Sequence, residues 1–503
     1  MHSFFRKLRQ FTYVVGLALF LVGCLDSIGL SVDDTGDTAS APEVGAASVS
    51  VPVERRRVAI VHSQTSKENF YDPFAYNQLF ASVQHQSMMA GLPFDLLDEQ
   101  QLAVTANLTD YDVIIIPAFA NVKSSDRSAI VSRLLDAQQN GVGVISSGEF
   151  LGSDENGTAH TDFVSAMVSV LGVQPSEYLN GVSASVKVAN TSHPVNKTYE
   201  PDEEIVAYDQ IWFAHFEPAN GEQSTPLTLI EAGDATYTGT QFIERNGRTV
   251  HFSNDQVMAD NNQLWRVIQW AAYGDVAPVS LQVSRADHVF IARNDMDQAM
   301  IAAELPQTEI PLLDLITDWK RDYNFVGSYY IDIGNNIAAG EYTDWGVSGP
   351  LYRDYIALGS EIATHSWTHP HETSALTAEQ LEFEFKDSAA EISTQVGVPV
   401  IGAAVPGMAE SLFVVETLNP WFEYLSGRTG SIGSGYQGAF GYLEPQHEMM
   451  YFSLNMAPDF TLIDFLNRTP AEAEVIWKEE IDGLLKHAQT PVSYTHLTLP
   501  TKA

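Results

Sequence analysis

The sequence predicts an α/β protein made of two successive strand–helix units, each built around a parallel sheet. Two observations predict it. Short runs that are apolar throughout, such as Arg57-Val58-Ala59-Ile60-Val61-His62 and Asp112-Val113-Ile114-Ile115-Ile116-Pro117, alternate with longer segments at helical spacing. Strands apolar on both faces belong to parallel sheets covered on both sides. The same alternation starts afresh near residue 288, and 503 residues suffice for two or three domains, each with its own core. With 45% apolar and 11% aromatic residues the chain is globular rather than disordered.

The amino-terminal end reads as a targeting segment. Arg6, Lys7 and Arg9 precede an apolar run from Phe11 to Val22, which closes on Leu21-Val22-Gly23-Cys24. This is the pattern of a secretory signal over residues 1–24 ending in a lipobox, and the run is too short to span a bilayer well. Cys24 is the only cysteine, so an intramolecular disulfide is excluded and lipidation is the expected use of the thiol. Residues 25–54 are Asp-, Ser-, Thr-, Ala- and Gly-rich with no period, as in a flexible acidic tether. The expected location is therefore lipid-anchored to the cell envelope and periplasm-facing. By the sorting preference of enteric-type lipoproteins, Leu25 favours the outer membrane over the inner.

The first unit, 55–275, has further strands at Gly143-Val144-Ile145-Ser146-Ser147 and, after an Asn246-Gly247 turn signal, at 248–252. Helices are expected at about 74–90, at 125–139 with Ile130, Leu134 and Leu135 on one face, and at 261–273 with Trp265 and Trp270. This unit resembles the glutamine-amidotransferase-like version of the flavodoxin-type fold. Catalytic members of that superfamily carry a cysteine nucleophile after a central strand. The nearest equivalent here, Ser146-Ser147-Gly148-Glu149, has neither a cysteine nor a G-x-S-x-G elbow. The expectation is a non-catalytic module.

In the second unit, 285–491, strands are expected at 288–294, 325–333, 359–364, 399–405, 421–427 and 449–456, with helices at 308–323, 377–396 and 471–487. Its chemistry lies in Thr364-His365-Ser366-Trp367-Thr368-His369-Pro370 and Asp295-Met296-Asp297. Histidines four apart on a helical turn, or on a loop coiled like one, can aim at one metal ion. Taken alone, such a pair also suits surface or satisfied core histidines. An Asp-x-Asp at a strand end sends both carboxylates the same way, and two histidines with one carboxylate leave positions open for water and substrate.

The stretch Gly359-Ser360-Glu361-Ile362-Ala363-Thr364-His365-Ser366-Trp367-Thr368-His369-Pro370 closely resembles the second motif of NodB-like polysaccharide deacetylases, carbohydrate esterase family 4. A capping-box pattern follows at Thr377-Ala378-Glu379-Gln380. The acidic pair split by Met296 is similar to the deacetylase region of Pel-type exopolysaccharide deacetylases. The resemblance implies a distorted (β/α) barrel whose site lies at the carboxyl ends of the strands. It also implies Asp297, His365 and His369 as ligands of a divalent metal, most plausibly Zn²⁺, and Asp295 as the catalytic base.

Two departures matter. The family's third motif carries an arginine before proline that orients the base, whereas this chain has Ala404-Val405-Pro406-Gly407. Arg293 and Arg428 are the nearest replacements, though each reads more simply as an ordinary surface salt bridge. The histidine of the family's last motif, the general acid, should follow Leu484-Leu485-Lys486-His487, and His487 itself reads as exposed. There the chain runs into Val492-Ser493-Tyr494-Thr495-His496-Leu497-Thr498-Leu499-Pro500-Thr501, which resembles a translated sequencing adaptor. Residues 492–503 are therefore expected to be foreign, His496 not catalytic, and the second unit short of its last strands and of turnover.

The formal net charge of −38 argues against nucleic acid, whose phosphates it would repel. It would attract a polycation, but a salt-adapted proteome explains it more simply. The expected function is metal-dependent N-deacetylation of an acetylated amino-sugar polysaccharide at the cell envelope. The alternatives are a non-catalytic carbohydrate-binding lipoprotein that retains the metal site, or an O-acetyl esterase. The expected partners are that polysaccharide and, through the lipid, a membrane.

Overall fold

The computed structural model describes residues 56–245, 247–275, 290–297, 312–336, 341–429, 439–486 and 491–496. The signal with Cys24, the tether, Asn246, the bridge at 276–287, His487 and residues 497–503 lie outside the described residues.

Nine strands form the first sheet: β1 (Val58–Val61), β2 (Phe94–Leu97), β3 (Val113–Ile116), β4 (Gly143–Ser147), β5 (Val173–Val188), β6 (Glu204–Pro218), β7 (Ser224–Ala232), β8 (Ala235–Glu244) and β9 (Arg248–Phe252), in the order β2-β1-β3-β4-β9-β8-β7-β5-β6. The parallel part, β2-β1-β3-β4-β9, follows from the apolar runs. Val58 and Ile60 join one core and Ala59 and Val61 the other, as alternating side chains on a doubly covered sheet must. Helices Pro73–Met89 and Gln263–Tyr273 cover the first face, and Arg127–Gln139 the second.

The expectation of an all-parallel sheet fails for β8, β7, β5 and β6, which extend it antiparallel. β5 and β6 run 16 and 15 residues. Their ladder shifts register near Pro175 and between Leu179 and Val182, so side chains change faces and no single period runs through the sequence.

The second sheet comprises β10 (Ile291–Met296), β11 (Ser328–Ile331), β14 (Glu361–Thr364), β15 (Gly402–Ala404), β16 (Tyr424–Thr429), β17 (Phe440–Gly441), β18 (Met450–Leu454) and β19 (Val492–His496), ordered β17-β18-β16-β15-β14-β11-β10-β19. β12 (Gly334–Asn336) and β13 (Glu341–Tyr342) form a separate hairpin. All neighbours in the large sheet pair parallel except β17 with β18. The sheet curls: Val492 N–H donates to Asn455 Oδ1 (2.7 Å), one residue past β18, bringing β19 towards the far end.

The adaptor-like residues thus lie along β10 as a strand, and β10 is not the open edge expected of it. Valine, tyrosine and threonine suit a pleated edge whatever their origin.

The two sheets share one compact unit, Arg56–Ala503. Helix Pro73–Met89 is buried on nearly every side. It places Phe74 and Ala81 in a core with Val405, Leu425 and Tyr451 of the second sheet. Its polar residues reach across too: Asn77 Nδ2 donates to Glu444 Oε1 (3.1 Å), Gln78 Nε2 to Ser453 Oγ (3.1 Å) and Gln84 Nε2 to the Tyr442 carbonyl (2.7 Å). Lys67, just before this helix, is buried in an ion pair with Glu444.

Removing one partner of a buried pair strands the other, so Lys67→Ala should cost roughly 3–5 kcal/mol. The double variant Lys67→Met/Glu444→Gln, which keeps the acceptor for Asn77, should recover most of that. Calorimetry should show one cooperative transition in the wild type. Two separate transitions would mean that the sheets melt independently.

Candidate metal centre

β10, β11 and β14 lie side by side, and their carboxyl ends converge on one site. Asp295 is in β10 and Asp297 just past its end, with the buried Met296 between them pointing the other way into an apolar core. His365 follows β14 directly. His369 stands four residues on, in a loop rather than a helix.

The loop's sequence makes it coil. Ser366 and His369 both take left-handed backbone conformations, φ 92° and 55°, which non-glycine residues hold only when their surroundings enforce them. Thr364 Oγ1 accepts from Ser366 N–H (3.1 Å), and Ser366 Oγ accepts from His369 N–H (3.0 Å). Glu384, on the helical segment after the Thr377 capping box, accepts from Trp367 N–H (3.1 Å), Thr368 N–H (2.8 Å) and Thr368 Oγ1 (2.6 Å). A buried carboxylate thus takes up the turn's otherwise orphaned donors.

The three expected ligands come together: one donor atom each from Asp297, His365 and His369 lie within 4.8 Å of one another. His365 Nε2 is 3.4 Å from Asp297 Oδ1 and 3.2 Å from Asp295 Oδ2, and His369 Nε2 is 3.5 Å from Asp297 Oδ2. Donors at about 2.0–2.1 Å around a tetrahedral zinc stand about 3.3–3.4 Å apart, so the three residues would have to draw in slightly around an ion.

The tautomer of His365 fits as well. Nδ1 lies 3.0 Å from the Ala404 carbonyl, which can only accept, so Nδ1 carries the proton and Nε2 a lone pair. Burial lowers the pKa of His365 to about 4, keeping the ring neutral despite the nearby aspartates. A buried Nε2 with no hydrogen-bond donor, facing two carboxylates, is an arrangement of lone pairs that a cation relieves. Burial works against charge on His369 too, but its hydrogen bond to Asp297 and that carboxylate's charge prevail, and its pKa rises to about 9.

Arg293 departs from expectation. It is no surface salt bridge but is buried, two residues before Asp295 on the same strand and face. Its Nε donates to Asp295 Oδ1 (2.9 Å) and its Nη2 to Asp295 Oδ2 (2.8 Å), a bidentate clasp. The guanidinium is fixed in turn by the Ser426 (3.1 Å) and Val405 (3.2 Å) carbonyls. Burial alone would raise the pKa of Asp295. The charge of Arg293 and its hydrogen bonds outweigh that and hold it below the ordinary carboxylate range. Arg428 is elsewhere, half-buried, with its guanidinium on Asp72 (3.3 Å).

Asp332, not anticipated, completes the rim. It follows β11 and is buried, accepts from Gly334 N–H through Oδ1 (3.1 Å), and has no hydrogen-bond donor at Oδ2. Burial pushes its pKa up to about 8. On the other side of β10, the backbone of His496 stands opposite Asp295 in the β19 ladder.

The serines at the end of β4 show no comparable arrangement. Ser147 Oγ donates to Asp255, Ser146 Oγ pairs with His251 Nδ1 (3.0 Å), and both serines are buried.

No family model and no curated protein matches the chain. Solved structures with some likeness include a polysaccharide deacetylase, so described, from Mycobacterium smegmatis (14% identity, covering 44% of this chain and 80% of that one, TM-score 0.33). A thua-like protein from Bacteroides uniformis shares 13% identity over 48% of this chain and 97% of its own (TM-score 0.32). A cold-adapted β-galactosidase from Rahnella sp. R3 shares 13% over 43% of this chain (TM-score 0.31), and this chain spans only 30% of it. Likeness at this level carries no functional conclusion.

The Arg293–Asp295 clasp has a definite pH signature. With its folded pKa depressed, Asp295 adds stability above its unfolded pKa of about 3.9, and this is lost as pH falls through the folded value. In Arg293→Met the buried carboxylate has no guanidinium, and protonation relieves it. Urea melts should therefore show a large loss of stability for Arg293→Met at pH 7 that shrinks towards pH 4. A loss independent of pH would mean that the arginine acts through packing alone.

Proposed function

We propose that this chain is a metal-dependent deacetylase acting on an acetylated amino-sugar polysaccharide. The observation that carries the reading is the pairing of a three-ligand cluster, His365, His369 and Asp297, with a separate buried carboxylate, Asp295, clasped by Arg293. The ligand set leaves room for a water and a substrate oxygen. A divalent ion held there, zinc being the best match to these donors, supplies Lewis acidity towards an acetyl carbonyl and acidifies water.

Each residue has a separate task. His365, oriented by the Ala404 carbonyl, presents a fixed lone pair, and Asp297 faces both histidines. Asp295 stays ionised at neutral pH because Arg293 holds it so, and it accepts the proton of the attacking water. Arg293 takes the part of the arginine that the NodB-like family carries before the proline matching Pro406, reaching the base from its own strand. No described side chain is assigned as general acid. The resemblance puts a histidine at the end of a strand that should follow Leu484-Leu485-Lys486-His487, the stretch where β19 runs.

The finer parts of the reading go with it. The second sheet is taken as the NodB-type barrel. The first, whose parallel strands take the flavodoxin-type order 2-1-3-4-5, is taken as a non-catalytic glutamine-amidotransferase-like module. Lipidation at Cys24 would hold both at the cell envelope.

Elemental analysis should find one divalent ion per chain in the wild type, and none in His365→Ala or His369→Ala. Asp295→Asn should keep the ion and lose deacetylation; Asp297→Asn should lose both. The reverse pattern would exchange the two aspartates' roles. With the pKa of His369 at about 9, its proton must leave before the ring can bind metal. Zinc affinity should therefore rise about tenfold per pH unit from 7 and level off near 9. Calorimetry in buffers of different ionisation enthalpy should detect the released proton, and a flat profile would exclude His369 as a ligand.

A further inference from the structure

A cavity of about 470 Å³ lies where connections of the two sheets meet, and it shares no residue with the metal centre. From the first sheet it takes His62, directly after β1, Asp98 and Glu99, after β2, and Lys123, in the loop after β3. This is the crevice outside the carboxyl ends of the strands, where open parallel sheets hold their ligands. From the second sheet's connections come Glu416, on helix Leu412–Leu418, and Glu444 and Gln446, between β17 and β18. Of the described lining residues only Pro445 is apolar, so a lipid chain or an apolar peptide has little to pack on.

Two buried lining groups carry unused hydrogen-bonding capacity. His62 is 3% exposed, and a relay fixes its tautomer. Asn77 Nδ2 donates to Glu444 Oε1 (3.1 Å), so Asn77 Oδ1 faces His62 Nε2 at 2.9 Å as an acceptor. Nε2 therefore carries the proton, and Nδ1 presents a lone pair with no partner among the described residues. Unlike the unpartnered Nε2 of His251, this nitrogen is not sealed in the core, and the cavity is what His62 borders. Burial lowers the pKa of His62 to about 4, so the ring is neutral. Lys67, 6% exposed, has three N–H donors and, among the described residues, one partner, Glu444. Glu444 is itself held by Asn77 and Gln446. An open acceptor and an open charged donor, both out of water, are answered together by a group that donates and accepts at one oxygen, which is a hydroxyl.

Charge narrows the choice of ligand. Asp98, Glu99, Glu416 and Glu444 line the cavity against Lys67 and Lys123, so the lining is net acidic. Among the described residues no lysine or arginine pairs with Asp98 or Glu416, and both are exposed at the rim. Phosphates and carboxylates are disfavoured there and a cation is favoured. We propose that this cavity is a ligand site for a hexosamine with a free ammonium group, its hydroxyls on His62 and Lys67 and its ammonium at Asp98 and Glu416. Such a sugar is what deacetylation would leave, so under that reading the first sheet holds the reaction's product. The chemistry of the cavity itself does not depend on it.

Calorimetry on the full chain at mildly acid pH, where the amine is charged, compares glucosamine and galactosamine with glucose and galactose. One hexosamine should bind at least about tenfold tighter than its parent hexose, the scale of one charge-assisted hydrogen bond. Asp98→Asn, which still accepts from Gln101 N–H, and Glu416→Gln, at an exposed helix position, should together remove most of that gain with the melting temperature unchanged. His365→Ala, which disables the metal centre, should leave the gain intact. In nitrogen NMR of the histidine rings, the unprotonated Nδ1 of His62 should shift as the hexosamine binds. If neither hexosamine is preferred, if the preference survives the double variant, or if it disappears in His365→Ala, the site is overturned. Binding with the expected pattern by a protein that deacetylates no polysaccharide would sink the deacetylase reading and leave this site standing.

Discussion

Everything proposed for this site depends on one buried charge being tolerable. Asp295 lies fully out of water at the end of β10, where an unpaired carboxylate would take up a proton and could no longer accept one. The bidentate Arg293 keeps it ionised, and Arg293 is itself affordable only because the Val405 and Ser426 carbonyls take up its other hydrogens. Those carbonyls come from β16 and the residue after β15, so the clasp depends on the sheet's curl. Strand curvature, arginine and carboxylate are thus coupled. A flatter sheet would leave the guanidinium unsatisfied, and the carboxylate would then be neutral.

The histidine loop solves a different problem. Two rings must approach one point from a loop, which holds side chains less firmly than a helix or strand. The chain meets this with local donors and acceptors, Thr364, Ser366 and Ser388, and with Glu384 from the next helical segment. The left-handed backbone at Ser366 and His369 is the strain this bracing sustains. Asp332, buried at the same rim with one oxygen lacking a hydrogen donor, is kept largely neutral by burial, its pKa pushed up to about 8.

The parts of this arrangement that could be read from the sequence are those fixed by neighbours along the chain. The parallel strands of the first sheet, the Asp-x-Asp, the His365–His369 spacing and the Thr377 capping box all follow from local pattern. Arg293 was within reach by the same reasoning, since residues two apart on a strand share a face, but an arginine near a strand's start reads by default as exposed. Asp332 and Glu384 had no such signal. Their importance comes from β11 lying between β10 and β14, and from a helical segment folding back on the loop, neither of which spacing reveals. The β5–β6 ribbon escaped notice because its register shifts break the period by which a strand is recognised.

The contact between the sheets joins these threads. A helix as polar as Pro73–Met89 would ordinarily turn one face to solvent, yet its asparagine, glutamines and serines are buried. They are satisfied partly within the first half and partly by Glu444, Ser453 and the Tyr442 carbonyl. An apolar helix would bury as much area but would tolerate sliding, whereas directional bonds fix one docking geometry. That matters because the helix's first turn also meets the loops of the second sheet, where the Arg428 guanidinium lies 3.3 Å from Asp72 and 4.0 Å over the Phe74 ring. Polar residues where apolar ones would suffice for stability are therefore intelligible: they hold Asp72 and Phe74 in register with Arg428.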